Sequence, residues 1–251
     1  MENFKDLLFE FVKADFKLRY KNSALGFIWV LLKPFLMFLI LYLVFNFIFK
    51  SQDPNYALNL LLGIIIFYFF SESTMRGLTS LWDRSSIILK VNFNRQLVIF
   101  APIINAFINF FFSMTIFFIF WFFAPTPITW WWLIFPVYIL ILALFILGFS
   151  FYASVWYARA RDLANIWEVV LSLLFYVTPI VYPINIIPAQ YHSMMNINPL
   201  TSIIRDSRLI LIYGHMPGLY SIIYVGGVGL FLAITGWFYF KKSMKKIAEE
   251  L

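Results

Sequence analysis

Side chains that could carry acid–base, nucleophilic or metal chemistry are few in this sequence and far apart. There is no cysteine, which excludes disulfides, thiol catalysis and zinc–thiolate sites. The only histidines, His192 and His215, lie together outside the long apolar runs, and no HExxH is present, so a histidine-based metal or protease centre within a membrane is excluded. Gly148-Phe149-Ser150 would suit an intramembrane serine nucleophile, yet no membrane histidine is available to activate it. No GxxxxGK[ST] phosphate loop occurs, which rules out nucleotide binding by that route. Lys33, Glu72 and Glu168 fall within a few turns of the ends of their apolar runs. A proton-driven carrier needs paired ionisable groups deep in its helices, so the energy for any transport comes from elsewhere.

The positive chemical signal is aromatic. Phe35, Phe38, Tyr42, Phe45 and Phe49 recur at three- and four-residue steps, and Trp167, Leu171, Phe175, Thr178 and Tyr182 do the same. Sugar rings stack their C–H faces on aromatic side chains, so two such stripes could line a glycan conduit. Helix packing and lipid contact are the alternatives, because among 32 phenylalanines some stripe arises by chance. Trp130, Trp131 and Trp132 fit an aromatic belt at a membrane interface.

The elements that position these residues follow from composition. With 63% hydrophobic and 12% charged residues over 251, the solvent of this chain is a bilayer. Apolar runs at 26–49, 57–75, 97–123, 131–157, 163–182 and 218–240 are far longer than a barrel strand and predict six transmembrane helices. The fold class expected is therefore an all-α integral membrane protein, one transmembrane domain over 1–251. No removable signal peptide is read at the start. Residues 1–24 place Phe4, Leu7, Leu8, Phe11 and Val12 at helical spacing among charges, predicting an amphipathic helix in the interface plane, either a simple anchor or a cuff that touches a partner. Residues 76–96 are too polar to span and predict a helical hairpin whose Ile87, Ile88, Leu89 and Val91 meet either a partner or the chain's own helix ends. Residues 184–217, cut by Pro188, Pro199, Gly214 and Pro217, predict short re-entrant helices, one of them capped by Asn198 with Pro199 at its first position. Lysine and arginine crowd the amino-terminal segment, 76–96, the Arg159–Arg161 turn and the 241–251 tail, against Lys50, Arg205 and Arg208 on the other side. Both termini are thus expected in the cytoplasm. The net charge of +7 follows from this bias, and nothing indicates a nucleic-acid partner.

In order and spacing, four blocks resemble the membrane subunit of a bacterial type-2 ABC polysaccharide exporter of the O-antigen or teichoic-acid branch. They are Tyr20-Lys21-Asn22-Ser23 with Leu25-Gly26-Phe27-Ile28-Trp29; Leu89-Lys90-Val91-Asn92-Phe93-Asn94-Arg95; Arg161-Asp162-Leu163 through Thr178-Pro179-Ile180-Val181-Tyr182-Pro183; and Asn198-Pro199-Leu200-Thr201. Asn94 departs from the family, which more often has proline there. The resemblance implies a transport subunit and not an enzyme: a homodimer forming the pore, with two copies of an ABC ATPase subunit that bind ATP and Mg, this chain holding no cofactor or metal. It implies an ATPase-coupling loop at Arg84, Ile88, Leu89, Lys90, Val91, Phe93 and Arg95, and a translocation path past Phe35, Phe38, Tyr42, Phe45, Trp167, Phe175, Thr178 and Tyr182. Lys33, Arg159 and Arg161 would meet the diphosphate of a polyprenyl-linked glycan, and Pro183, Asn198, Pro199 and Arg205 would form an external gate in the bacterial inner membrane. The competing functions are export of a drug or small lipid by the same machinery, and a membrane enzyme acting on polyprenyl-linked sugars, for which Asp83 and Asp162 are too sparse.

Overall fold

The computed structural model describes residues 4–21, 25–45, 53–88, 90 and 93–247, and among them every regular element is helical. In chain order these are α1 (Phe4–Tyr20), α2 (Trp29–Leu43), α3 (Tyr56–Asp83), α4 (Ser85–Ile88), α5 (Leu97–Phe122), α6 (Phe135–Arg159), α7 (Leu163–Val177), α8 (His192–Ile197), α9 (Pro199–Leu211) and α10 (Leu219–Ile247). Among the described residues five helical stretches, Gly26–Leu43, Tyr56–Asp83, Leu97–Phe122, Trp130–Arg159 and Leu219–Met244, are long and apolar enough to cross a membrane.

The expected fifth span, 163–182, is a helix of only 15 residues. At 1.5 Å per residue it rises roughly 22 Å, short of a hydrocarbon core of about 30 Å. It stops at Val177 because Pro179 disfavours the helical conformation at Thr178, whose ψ is 131°. Two other helices overrun their apolar windows. α3 continues through 76–83, where Gly77, Leu78, Ser80 and Leu81 keep its inward face buried, and α10 continues past 240 with Met244 buried. Within the expected hairpin at 76–96, residues 76–83 belong to α3 and Ser85–Ile88 form the single turn of α4, while 89, 91 and 92 lie outside the described residues.

α3 is the axial helix, buried along most of its length and packed on by α2, α5, α6, α7 and α9. Within a bilayer the packing of such an axis rests on close van der Waals fit rather than on water exclusion. The tightest pair is α6 with α10. A Cβ on Gly148 would stand 2.5 Å from the Leu232 carbonyl carbon, and one on Gly236 would stand 2.6 Å from Gly148 O, so two glycines let backbone meet backbone. α1 lies across α5, held where Asn105 Nδ2 donates to Val12 O at 3.1 Å. Asp6 in its first turn and Lys17 and Arg19 in its last oppose the helix dipole favourably. α9 has the cap expected of it: Asn198 Oδ1 accepts from Leu200 N–H at 3.1 Å with Pro199 at the first position, and Gly214 reverses the chain with φ of 67°.

Candidate functional site

Two polar assemblies sit at opposite ends of the bundle. At the α1 end, Glu72 of α3 is the hub. It pairs with Arg19 of α1, accepts from Asn109 Nδ2 at 3.0 Å and lies 3.3 Å from Arg76 Nε. Arg84 pairs with Asp15 and covers the Phe11 ring at 4.6 Å, and Phe11 in turn packs on Phe93 at 5.4 Å. Arg95 Nη1 donates to Met244 O at 2.8 Å. The segment after α3 is thus gripped by α1 on one side and by α10 on the other. These pairs are partly exposed, so each contributes no more than about 1 kcal/mol, and their effect is placement. Between α1, α3 and α5 they leave a cleft of ≈530 Å³ bordered by Arg19, Arg76 and Arg84 with Asp15, Glu72 and Asp83.

The expected coupling residues divide within this frame. Ile88 is buried, Phe93 is half-buried against Phe11, and Lys90 is exposed. Leu89 and Val91 lie outside the described residues, as do Ser23, Phe49 and Lys50. Of the three cations expected near a diphosphate, Lys33 and Arg159 are exposed at this end, and Lys33 borders a small cavity together with Arg19 and Glu72. Arg161 is committed to the Trp82 ring, its guanidinium carbon 3.6 Å from the centroid.

At the other end the Thr178–Pro183 block and α9 are tied together. Arg208 donates from Nε to Asn59 O at 3.0 Å, from Nη1 to Pro179 O at 2.8 Å and from Nη2 to Ile180 O at 2.8 Å. At the helix-breaking turn the carbonyls of Pro179 and Ile180, which have no helical donor, meet one guanidinium fork, whose Nε also reaches the Asn59 carbonyl in the first turns of α3. Burial pushes that guanidinium down to about 10, which leaves it cationic at neutral pH. Asn198 Nδ2 donates to Thr178 Oγ1 at 3.1 Å, so the cap of α9 also fixes the end of α7, and Tyr56 OH donates to Val181 O at 3.0 Å. Beside them Asp206, 1% exposed, accepts from Tyr138 OH at 2.8 Å, from Arg205 Nε at 2.9 Å and from Ser221. Of the expected gate residues, Asn198, Pro199 and Arg205 are drawn into this assembly while Pro183 is exposed beside it. His192 Nε2 carries its hydrogen, because it meets only acceptors, Ile184 O at 3.1 Å and Ile187 O at 2.9 Å.

Sequence reasoning missed Asp53, Tyr56, Asn59, Tyr138, Asp206, Arg208 and Tyr213 as parts of one assembly. The available signal was α9 itself, where Arg205, Asp206 and Arg208 fall among buried apolar positions and so demand partners.

The aromatic stripes are largely used for packing within the chain. Phe38 meets Phe120 at 5.4 Å and Tyr42 at 5.6 Å, Tyr42 stacks on Tyr56 at 6.3 Å, and Phe35 meets Phe120 at 6.4 Å. On α7, Phe175 packs edge-on to Phe67 at 5.1 Å, while Trp167 stacks on Phe149 at 4.1 Å and donates to Thr74 Oγ1 at 3.1 Å. Phe38, Phe175 and Thr178 are buried, whereas Phe35, Tyr42, Phe45, Trp167 and Tyr182 keep part of their surface open. Ser150 donates to Ile146 O at 2.7 Å within α6 and is fully enclosed, an ordinary helix hydroxyl.

Residues 6–212 match the family model described as ABC-2 type transporter. An O-antigen export system permease protein of Myxococcus xanthus is 26% identical over 250 residues, covering 99% of this chain and 96% of that protein. Two O-antigen export system permease proteins of Klebsiella pneumoniae are each 30% identical over 249 residues, covering 98% of this chain and 95% of theirs.

Proposed function

The chain belongs to the ABC-2 type transporter family, and we propose that it is the channel-forming half of an ATP-driven exporter that carries a polyprenyl-diphosphate-linked polysaccharide out of the cytoplasm. The observation that carries this is end-to-end similarity, over 98–99% of the chain, to proteins named for O-antigen export. In the proposal two copies form the pore in the bacterial inner membrane. α7 completes a sixth crossing with the Thr178–Pro183 segment, and α8 and α9 dip back into the outer face.

The α1 end faces the cytoplasm, as the lysine and arginine bias supports. There two ATPase subunits, binding ATP and Mg, dock on α1 and the 84–96 segment. That segment touches α1, through Phe11 and Asp15, and α10, through Met244, so force applied to it is shared by both. Lys33 and Arg159 receive the diphosphate, and Arg161, already over Trp82, sets the adjoining turn. The path follows α2 and α7. The partly open rings Phe35, Tyr42, Phe45, Trp167 and Tyr182 offer faces to sugars, and the buried Phe38, Phe175 and Thr178 hold them in place. Pro183, Asn198, Pro199 and Arg205 belong to the outer gate.

Deleting the gene from its bacterium tests this. Surface polysaccharide disappears, lipid-linked glycan builds up on the cytoplasmic leaflet, and restoring this chain with its ATPase subunit reverses both. Surface polysaccharide that persists unchanged in the deletion strain overturns it.

A further inference from the structure

At the α9 end a cavity of ≈160 Å³ opens between the start of α3, the segment after α7, and α9. It has room for about five waters at ≈30 Å³ each, a volume close to that of one pyranose ring with its hydroxyls. None of the contacts that build the two assemblies fills it.

Its wall has three properties that together select a ligand. Asn59 Oδ1 and Thr201 Oγ1 are buried there without a hydrogen-bond partner, and Thr201 is 1% exposed. An acceptor and a hydroxyl left unmade at such cost, about 1–3 kcal/mol each, call for a ligand that both donates and accepts, which a sugar hydroxyl does. Aromatic rings form the second property. Tyr56, Tyr182 and Tyr213 line the cavity, and their hydroxyls are anchored, Tyr56 to Val181 O at 3.0 Å, Tyr182 to Tyr176 O at 2.7 Å, and Tyr213 by Asn59 Nδ2 at 2.6 Å. Fixed rings present faces to C–H groups at little cost in entropy.

The third property is charge. Asp53 stands in the wall and accepts from Asn55 N–H at 2.9 Å and Asn59 Nδ2 at 2.8 Å. Two cations also line it, and both already direct their donors elsewhere, Arg208 to the carbonyls of Asn59, Pro179 and Ile180 and Arg205 to Asp206, Asn196 and Ser221. A carboxylate in the wall and two guanidinium groups engaged elsewhere leave no free cationic donor for a phosphate or an acidic ligand. The unpartnered polar atoms disfavour an acyl chain.

We infer that this cavity is a binding site for one neutral sugar unit, with Asn59 and Thr201 meeting its hydroxyls and Tyr182 and Tyr213 its ring faces. That the sugar belongs to the exported chain rests on the polysaccharide reading above. The site then holds each passing unit at the outer mouth and opposes backsliding between strokes.

The test uses the full chain in lipid nanodiscs and saturation-transfer NMR, with methyl mannoside, methyl galactoside and methyl N-acetylglucosaminide as probes. Ring protons of at least one probe receive saturation from the wild-type chain, and Thr201→Val and Asn59→Leu each weaken that binding about fivefold, one hydrogen bond's worth. Thr201→Val removes an unpartnered hydroxyl without changing shape, so its thermal unfolding midpoint stays level or rises while binding falls, which separates recognition from folding. A wild-type chain that transfers saturation to none of the three, or a Thr201→Val chain that binds as well as wild type, overturns the site. Surface export scored alongside keeps the two proposals apart: glycan exported with no sugar bound here removes the site alone, and sugar bound by a chain whose deletion leaves surface glycan unchanged removes the exporter alone.

Discussion

Replacing Arg208 by methionine leaves the carbonyls of Pro179 and Ile180 without their donor at once and takes a second donor from Asn59 O, which stays within α3. Each orphaned group costs about 1–3 kcal/mol, so we expect a loss of roughly 3 kcal/mol or more, read as a lowered thermal unfolding midpoint of the purified chain. Arg208→Lys recovers only part of it, because an ammonium cannot reproduce the planar fork. The Arg19–Glu72 pair behaves differently. Both side chains are 24% exposed, and a double-mutant cycle to alanine and glutamine returns a coupling of about 0.2–1 kcal/mol; a value of several kcal/mol would show it to be a structural bond and not a placement device. Residue types on α9 were readable in advance, since Asn198-Pro199 announces a helix start and charged groups among buried positions announce partners. The partners themselves were not readable. Asn59 meets Tyr213, and Arg208 meets Asn59, across separations that no local pattern reports.

Helices were the legible scale, because a bilayer demands long apolar runs and the runs are there. Their ends were less so. α3 outruns its apolar window into 76–83 by burying one face of an otherwise polar turn, and hydropathy averaged over a window cannot see a one-sided burial. α7 stops where Thr178-Pro179 stops it, a boundary the sequence did display. The α6–α10 seam gives a paired prediction. Gly148→Ala drives a methyl into the Leu232 backbone and is expected to destabilise by about 2–4 kcal/mol, whereas Gly227→Ala, with nothing within 4 Å of the added carbon, is neutral or gains up to about 1 kcal/mol. Yields of folded chain and unfolding midpoints in detergent check both, and equal effects would contradict the seam. At the 84–96 segment, Leu89→Asp combined with Val91→Asp abolishes export while leaving membrane insertion intact. Continued export in that double variant would move ATPase docking elsewhere.

For the whole molecule the orientation is testable with reporters. A fluorescent protein fused after Leu251 lights up in the cytoplasm, and alkaline phosphatase inserted near Tyr191 is active outside; the reverse pattern would invert both assemblies. One consequence of the arrangement concerns transmission. α10 is 29 residues long, roughly 43 Å of unbroken helix. Near its far end Met244 is held by Arg95, near its start Ser221 is held by Asp206 of α9, and along its middle it is welded to α6 at backbone distance. These contacts hold it at both ends and along its middle. In the proposed exporter a displacement of the 84–96 segment would bear on one end of α10 and reach α9 through the other, which makes α10 the pushrod of that scheme.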